Sequence, residues 1–177
     1  MPAVLAVAER LPFIDGAFDG ALAVLTIHHW HDLRRGLQEL RRVTNGPIVI
    51  LTADPDVASS WWLPVDYPEL QTVIAAPLPS LTSLEEELGR LDVRVVPVPA
   101  RCRDGFLMSF WDRPELVLDP EARAATSGFA KLDTQIEERV AERLAADLRA
   151  GRWDRRHGAL RTLSEFDTGL RLVIARG

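Results

Sequence analysis

Val7-Ala8-Glu9-Arg10-Leu11-Pro12-Phe13-Ile14-Asp15-Gly16-Ala17-Phe18-Asp19, the apolar run Ala21–Ile27 and then His28-His29-Trp30-His31-Asp32 together decide how this chain is read. They set a carboxylate and a Phe-Asp turn ahead of one strand-length apolar run, and three histidines beyond its end. Upstream, Ala3–Ala8 is continuously apolar and of strand length, which predicts a strand buried on both faces. Pro12, Asp15 and Gly16 mark a turn-rich loop, and Ala21–Ile27 reads as a second buried strand. Asp32 is a good N-cap for a helix with Leu33, Leu37, Leu40 and Val43 on one face and arginines on the other. Asn45-Gly46 is expected to end that helix, and Ile48–Thr52 to form a third strand. Strand, helix, strand with short joints predicts a βαβ unit with parallel pairing, so the fold class is α/β.

Further along, residues 54–79 hold five prolines and the pair Trp61-Trp62, an irregular pattern. Ser83-x-x-Glu86 reads as a capping box opening a short helix with Leu84, Leu88 and Leu91 on one face. Val93–Val98 reads as a strand, and Pro97 confines it to a sheet edge because proline cannot donate to a ladder. Residues 101–150 read as mostly helical. Phe106, Leu107, Phe110 and Trp111 form an aromatic face that stops before Pro114. Thr134-x-x-Glu137 is expected to cap a longer helix with Ile136, Val140, Leu144 and Leu148, closed by Gly151. Gly169–Ala175 reads as a last strand.

Bulk composition narrows the class. The chain has 177 residues, 47% hydrophobic, enough for a real core. A net charge of −5 carries no nucleic-acid footprint, and no nucleic-acid partner is expected. Lys131 is the one lysine among 21 basic residues, a coding bias toward arginine. A lone Cys102 excludes an internal disulfide and suits a reducing cytoplasm. No run of about 18 apolar residues occurs, so no membrane span is expected, and the N-terminus lacks the basic start of a signal peptide. These features predict a cytoplasmic chain.

The block from Val7 to Asp32, with its Ala-Glu-x-Leu-Pro-Phe motif, resembles the middle of class I S-adenosylmethionine (SAM)-dependent methyltransferases of the type 11 kind. That family orders its strands 3-2-1-4-5-7-6, with strand 7 antiparallel. The resemblance equates Ala3–Ala8 with strand 3, Ala21–Ile27 with strand 4, Ile48–Thr52 with strand 5, Val93–Val98 with strand 6 and Gly169–Ala175 with strand 7. The implied fold is a Rossmann-like methyltransferase sheet lacking its N-terminal part, with a 6/7 antiparallel hairpin carrying a helical insertion over 101–164. It implies one domain over 1–177: a Rossmann-like core part (1–54), an irregular segment and helix (55–92), and the edge strand, insertion and last strand (93–177). The family's Gly-x-Gly loop and ribose-binding acid are not matched, since no Gly-x-Gly occurs among the 11 glycines. Ala3–Ala8 thus lacks its usual neighbours and the strand at Ala21–Ile27 has an open edge. Three outcomes are expected: Ala3–Ala8 detaches, shifts beside Ala21–Ile27, or pairs across a homodimer through the exposed edge.

Implied site residues follow from this alignment. Val7, Ala8 and Glu9 fall where the family reads adenine, and Leu25 and Thr26 fall at the end of strand 4, so these five form the cofactor set. Glu9 has an equally plain alternative as a loop carboxylate capping nearby N–H groups. Leu11, Pro12 and Phe13 read as packing, while Asp15 and Asp19 read as turn chemistry rather than acid/base work. His28, His29 and His31 lie beyond a strand's C-terminal end, where α/β sheets place ligands. His28 and His29 are the catalytic candidates, with structural hydrogen bonding as the alternative; no metal is expected, because no acid or cysteine completes a ligand set. Trp30, Trp61, Trp62, Tyr67 and Trp111 are candidates to line an acceptor pocket, or else are core. The run Asp154-Arg155-Arg156-His157 is either an anion site or a solvated loop. The function implied is SAM-dependent methyl transfer to a small molecule, with SAM binding weakened or lost. A non-catalytic remnant acting as a binding or dimerisation module is the alternative, and a histidine-based metal hydrolase a third.

Overall fold

The computed structural model describes residues 3–74 and 78–176; residues 75–77, inside the irregular segment, lie outside it. The described residues form six strands: β1 (Ala21–Val24), β2 (Ile48–Ala53), β3 (Leu91–Val95), β4 (Val98–Pro99), β5 (Glu165–Phe166) and β6 (Leu170–Ala175). The helices are α1 (Leu33–Val43), α2 (Pro55–Ala58), α3 (Trp62–Asp66), α4 (Gln71–Ile74), α5 (Leu81–Leu88), α6 (Pro120–Ala124), α7 (Thr134–Arg149) and α8 (Arg152–His157), with 3-10 turns between them. Contacts divide the chain into two compact units, a finer division than one domain. The first takes Met1–Asp54, Pro77–Val96 and Leu170–Gly177; the second takes Pro55–Ala76 and Pro97–Gly169.

The first unit is built on a four-stranded sheet ordered β1-β2-β6-β3. β1 pairs parallel with β2 in the register Ala21 to Ile48, with α1 as the crossover. β6 runs antiparallel to both β2 and β3. This is the family's 4-5-7-6 order, with β3 at the edge; the expected strand Val93–Val98 instead runs Leu91–Val95, and Pro97 falls in the break before β4. Ala23, Ile27, Leu37, Ile48, Ile50, Leu84, Leu88, Val173 and Ala175 form one buried cluster, so α1 and α5 cover the same sheet face. Glu87 ties the two helices by accepting from Arg34 (2.8 Å) and Gln38 (3.3 Å).

Several expectations change here. Ala21–Ile27 is a strand only to Val24, and Leu22 and Val24 are 68% and 51% exposed. An apolar run has the same sequence signature whether one face or two are covered. Among the described residues, nothing pairs with β1 on the side away from β2. Ala3–Ala8 is detached: residues 3–7 are exposed, Leu5 completely, and the segment's one bridge joins Val7 to Arg10. Without strand neighbours, its backbone groups are left to water rather than to a ladder.

Helix starts were also misplaced by a few residues. Asp32 does cap α1, its Oδ1 accepting from the Arg35 N–H at 2.9 Å. For α5, however, Ser80 and not Ser83 is the cap: its Oγ accepts from the Ser83 N–H at 3.1 Å. Leu91 therefore opens β3 instead of extending a helical face. For α7, Asp133 and not Thr134 caps, accepting from the Gln135 N–H at 2.8 Å. α1 ends at Val43 with Thr44 as its C-cap, and Gly46 serves another purpose than a left-handed stop. A Cβ there would lie 1.9 Å from the Asp19 carbonyl oxygen, so only glycine permits this approach of the two backbones.

The second unit is organised around aromatic rings. Trp62 meets Trp61, Tyr67 and Trp153 edge-on, with centroids 5.7, 6.4 and 5.4 Å away. Its Nε1 donates to the Trp111 carbonyl at 2.9 Å, and Trp111 stacks on Phe166 at 5.4 Å. The expected aromatic helix is a 3-10 turn over Leu107–Phe110. Val140 and Leu144 are the buried positions of α7, and β4 and β5 form a small antiparallel pair.

Candidate functional site

The end of β1 is held in an uncommon way. The Leu25 N–H donates to the Leu51 carbonyl at 2.8 Å, so the chain is still tied to β2 as it leaves the strand. Yet Leu25 has φ 47°, a left-handed backbone that disfavours a leucine. Such outliers persist where surrounding structure enforces them, and they concentrate at ligand-binding places. The turn Ile27–His29 follows at once, anchored by Ile27, 1% exposed, and closed by His29 N–H to Thr26 carbonyl at 2.9 Å. His28 is half-buried and His29 exposed, with ring centroids 4.0 Å apart. Trp30 lies over Gly36, where a Cβ would come within 2.4 Å of the indole, so the ring is packed flat on α1.

Glu9 joins the second half of the cofactor set to this corner. The Arg10 N–H donates to the Val7 carbonyl at 3.1 Å, making a tight turn with Ala8 and Glu9 at its tip. Glu9 Oε1 then accepts the Asp32 N–H at 3.0 Å. That backbone donor, followed by Glu9's own N–H, holds the carboxyl below the usual carboxylate range, with the charge of His31 adding to it. Beside the turn, Leu5, Ala6, Val7, Arg10 and Pro12 line a cleft of about 350 Å³. Glu9 thus does cap a backbone N–H, and in doing so sets Val7–Glu9 against the His31–Asp32 corner.

A pair absent from the sequence reading fixes the loop behind that turn. Glu39, 4% exposed, accepts from Arg42 through both oxygens at 2.8 Å, and its Oε2 also takes the Leu11 N–H at 2.9 Å. Arg42 goes on to donate to the Phe13 and Leu11 carbonyls and to Asp15. An i, i+3 Glu-Arg pair on α1 was the available signal, but such pairs usually face solvent. The Arg42 guanidinium, then the Leu11 N–H, pull the Glu39 carboxyl down to about 2. A depressed carboxylate contributes stability that is whole above the unfolded value and is lost as pH falls through the folded one. Unfolding followed by circular dichroism should therefore weaken from about pH 4.5 toward pH 2. Glu39→Gln should flatten that acid limb and cost about 1–3 kcal/mol at pH 7.

The tryptophan candidates lie elsewhere in kind. Trp61, Trp62, Tyr67 and Trp111 are 0–3% exposed and make up the core of the second unit. Trp62 packs on Trp61 and Tyr67, and Trp111 stacks on Phe166, so these rings are core here. Among the described residues, no group of three or more His, Cys, Asp or Glu is placed to hold a metal ion. None of their helices is long and apolar enough to cross a membrane.

Comparison with known proteins agrees with the sheet order. The family model "Methyltransferase domain" matches residues 1–49. A crystal structure described as a candidate methyltransferase from an antibiotic biosynthesis pathway of Anabaena variabilis superposes with a TM-score of 0.87 at 34% identity, covering 97% of this chain and 72% of that one. A candidate methyltransferase from Bacillus halodurans shares the fold alone, with TM-score 0.51 and 13% identity over 98% of this chain and 76% of that one. A 36-residue segment is 47% identical to the uncharacterized protein YafE of Escherichia coli, a fifth of this chain and 17% of that protein's length. The α/β sheet and the Anabaena match define a chain of the Rossmann-like methyltransferase fold. The chain belongs to the class I SAM-dependent methyltransferase family.

Proposed function

We propose that this chain supplies the strand-4 side of a SAM pocket and takes part in methyl transfer to a small-molecule acceptor. The observation that carries this reading is the Glu9–Asp32 hydrogen bond, which brings the Val7–Glu9 turn to the corner beyond β1. Val7 and Ala8 would offer apolar and backbone contact to an adenine ring; Leu25 and Thr26 would floor the pocket. The residues present fit only that side of the cofactor. Nothing in the sequence matches the glycine loop or the ribose-binding acid. His28 and His29 stand where a proton of the acceptor could be taken up, and methyl transfer otherwise requires mainly proximity and orientation.

Calorimetry with SAM tests the reading: weak binding, with Kd of about 1 mM, is expected, and Ala8→Trp should abolish it. No heat at that concentration overturns it for this chain alone. The open edge of β1, with Leu22 and Val24 exposed, favours a second reading as a dimerisation or binding module. Light scattering on the same SAM-silent sample would then give a dimer mass.

A further inference from the structure

The second unit holds an arginine-lined cleft that methyl transfer does not use. Asp66, Arg143, Ala146, Asp147, Arg152, Arg155 and Arg156 enclose about 620 Å³, within the size range of small-molecule sites. Its two carboxylates are fully engaged. Asp66 accepts from Arg156 at 3.1 Å and lies 2.7 Å from His157 Nε2. Asp147 accepts from Arg152 Nε at 2.6 Å and from the Tyr67 hydroxyl at 3.1 Å, with Arg156 3.6 Å away. Burial pushes the Asp147 carboxyl up, but the Arg152 and Tyr67 hydrogen bonds outweigh it, so the group stays ionised.

The arginines, by contrast, keep donors in hand. A guanidinium carries five N–H groups. Arg152 spends one of them, on Asp147, and among the described residues neither terminal nitrogen has a protein acceptor. Arg155 donates to the Ala150 carbonyl at 3.0 Å and has no carboxylate partner among the described residues. Arg143 is tied to Glu69 and to the Asp66 carbonyl, and its guanidinium lies 5.0 Å above the Tyr67 ring. Four guanidinium groups thus line one cleft with two aspartates. The aspartate side chains orient Arg152 and Arg156, and Arg152 keeps donors beyond them.

We propose that this cleft binds the carboxylate or phosphate group of a small molecule, with Arg152 and Arg155 as the donors, Asp147 positioning Arg152 and the Ala150 carbonyl positioning Arg155. Planar forks with free terminal nitrogens suit bidentate recognition of these oxyanions, which a lysine could not replace. The proposal is independent of the SAM reading, because it concerns other residues and another ligand.

Calorimetry of the full chain at low salt, with inorganic phosphate and separately with succinate, tests it. Binding of at least one is expected, with Arg152→Ala and Arg155→Ala each weakening it about tenfold while circular dichroism stays unchanged. Arg94→Ala, at an exposed pair with Asp92 in the first unit, should leave binding intact. Tighter phosphate than succinate would assign a phosphoryl ligand, and the reverse a carboxylate. Silence with both anions overturns the proposal. So does an equal loss in Arg94→Ala, which would mean general charge attraction.

Discussion

Trp62→Ala should destabilise the protein by about 4 kcal/mol, the upper range for removing a buried aromatic side chain. The indole is 3% exposed and meets three other rings edge-on, an arrangement that adds to its area burial. Truncation would leave a cavity bounded by Trp61, Tyr67 and Trp153, and a buried Trp111 carbonyl without its donor. Trp62→Phe separates these effects, because it keeps a ring and loses only the N–H, for a cost of about 1–2 kcal/mol. Urea unfolding followed by far-ultraviolet circular dichroism reads both. Equal losses in the two variants would assign the whole effect to the hydrogen bond. A loss below about 1 kcal/mol for alanine would mean that Trp62 is not a core residue, and would return it to the acceptor-lining role.

Gly46→Ala is the second large effect, expected at about 3 kcal/mol, at the high end for overpacking. The new methyl group would meet a backbone oxygen at 1.9 Å, and backbone cannot rotate aside as a side chain can. The two segments concerned are already laced together: Phe18 N–H to Val43 carbonyl, Asn45 N–H to Phe18 carbonyl, and Ala21 N–H to Pro47 carbonyl, all within 3.0 Å. Relieving the clash would pull apart the entry to both parallel strands. Gly105→Ala is the control, because a Cβ there meets nothing within 4 Å. Similar unfolding midpoints for the two variants would show that residues 18–21 can shift at little cost.

The α1 helix and its two flanking strands were legible in the sequence because three independent signals agree there: an N-cap at Asp32, helical spacing through Val43, and an apolar run at Ile48. The edge position of β3 agrees with the expectation, but Pro97 falls past the end of the strand rather than sitting in it, so the proline argument did not apply. Where the reading failed, a single signal had two physical causes. Ala3–Ala8 is apolar enough for a strand, but a strand also needs a neighbour, which no local pattern records. Ser80 and Ser83 are both acceptable caps three residues apart, and only the backbone geometry chooses. Trp61, Trp62, Tyr67 and Trp111 have the same spacing whether they form a core or line a pocket. Leu25 gave no signal, since its strained backbone is imposed by the tie to Leu51 and the Ile27 anchor rather than by its own type.

β6 has a consequence for how the molecule comes into being. Among the described residues it is the strand bonded to both β2 and β3, pairing Ile48 with Ala175 across more than half the chain and Leu91 with Ala175 across nearly half. On the ribosome, β1, α1 and β2 emerge early and must wait with an unpaired edge while residues 55–169 are made. Pairings so distant in sequence are slow to form, and exposed edges in the interval invite association between nascent chains. Closure of the sheet therefore waits for β6, and chaperone demand should fall mainly on the interval between the synthesis of β2 and that of β6.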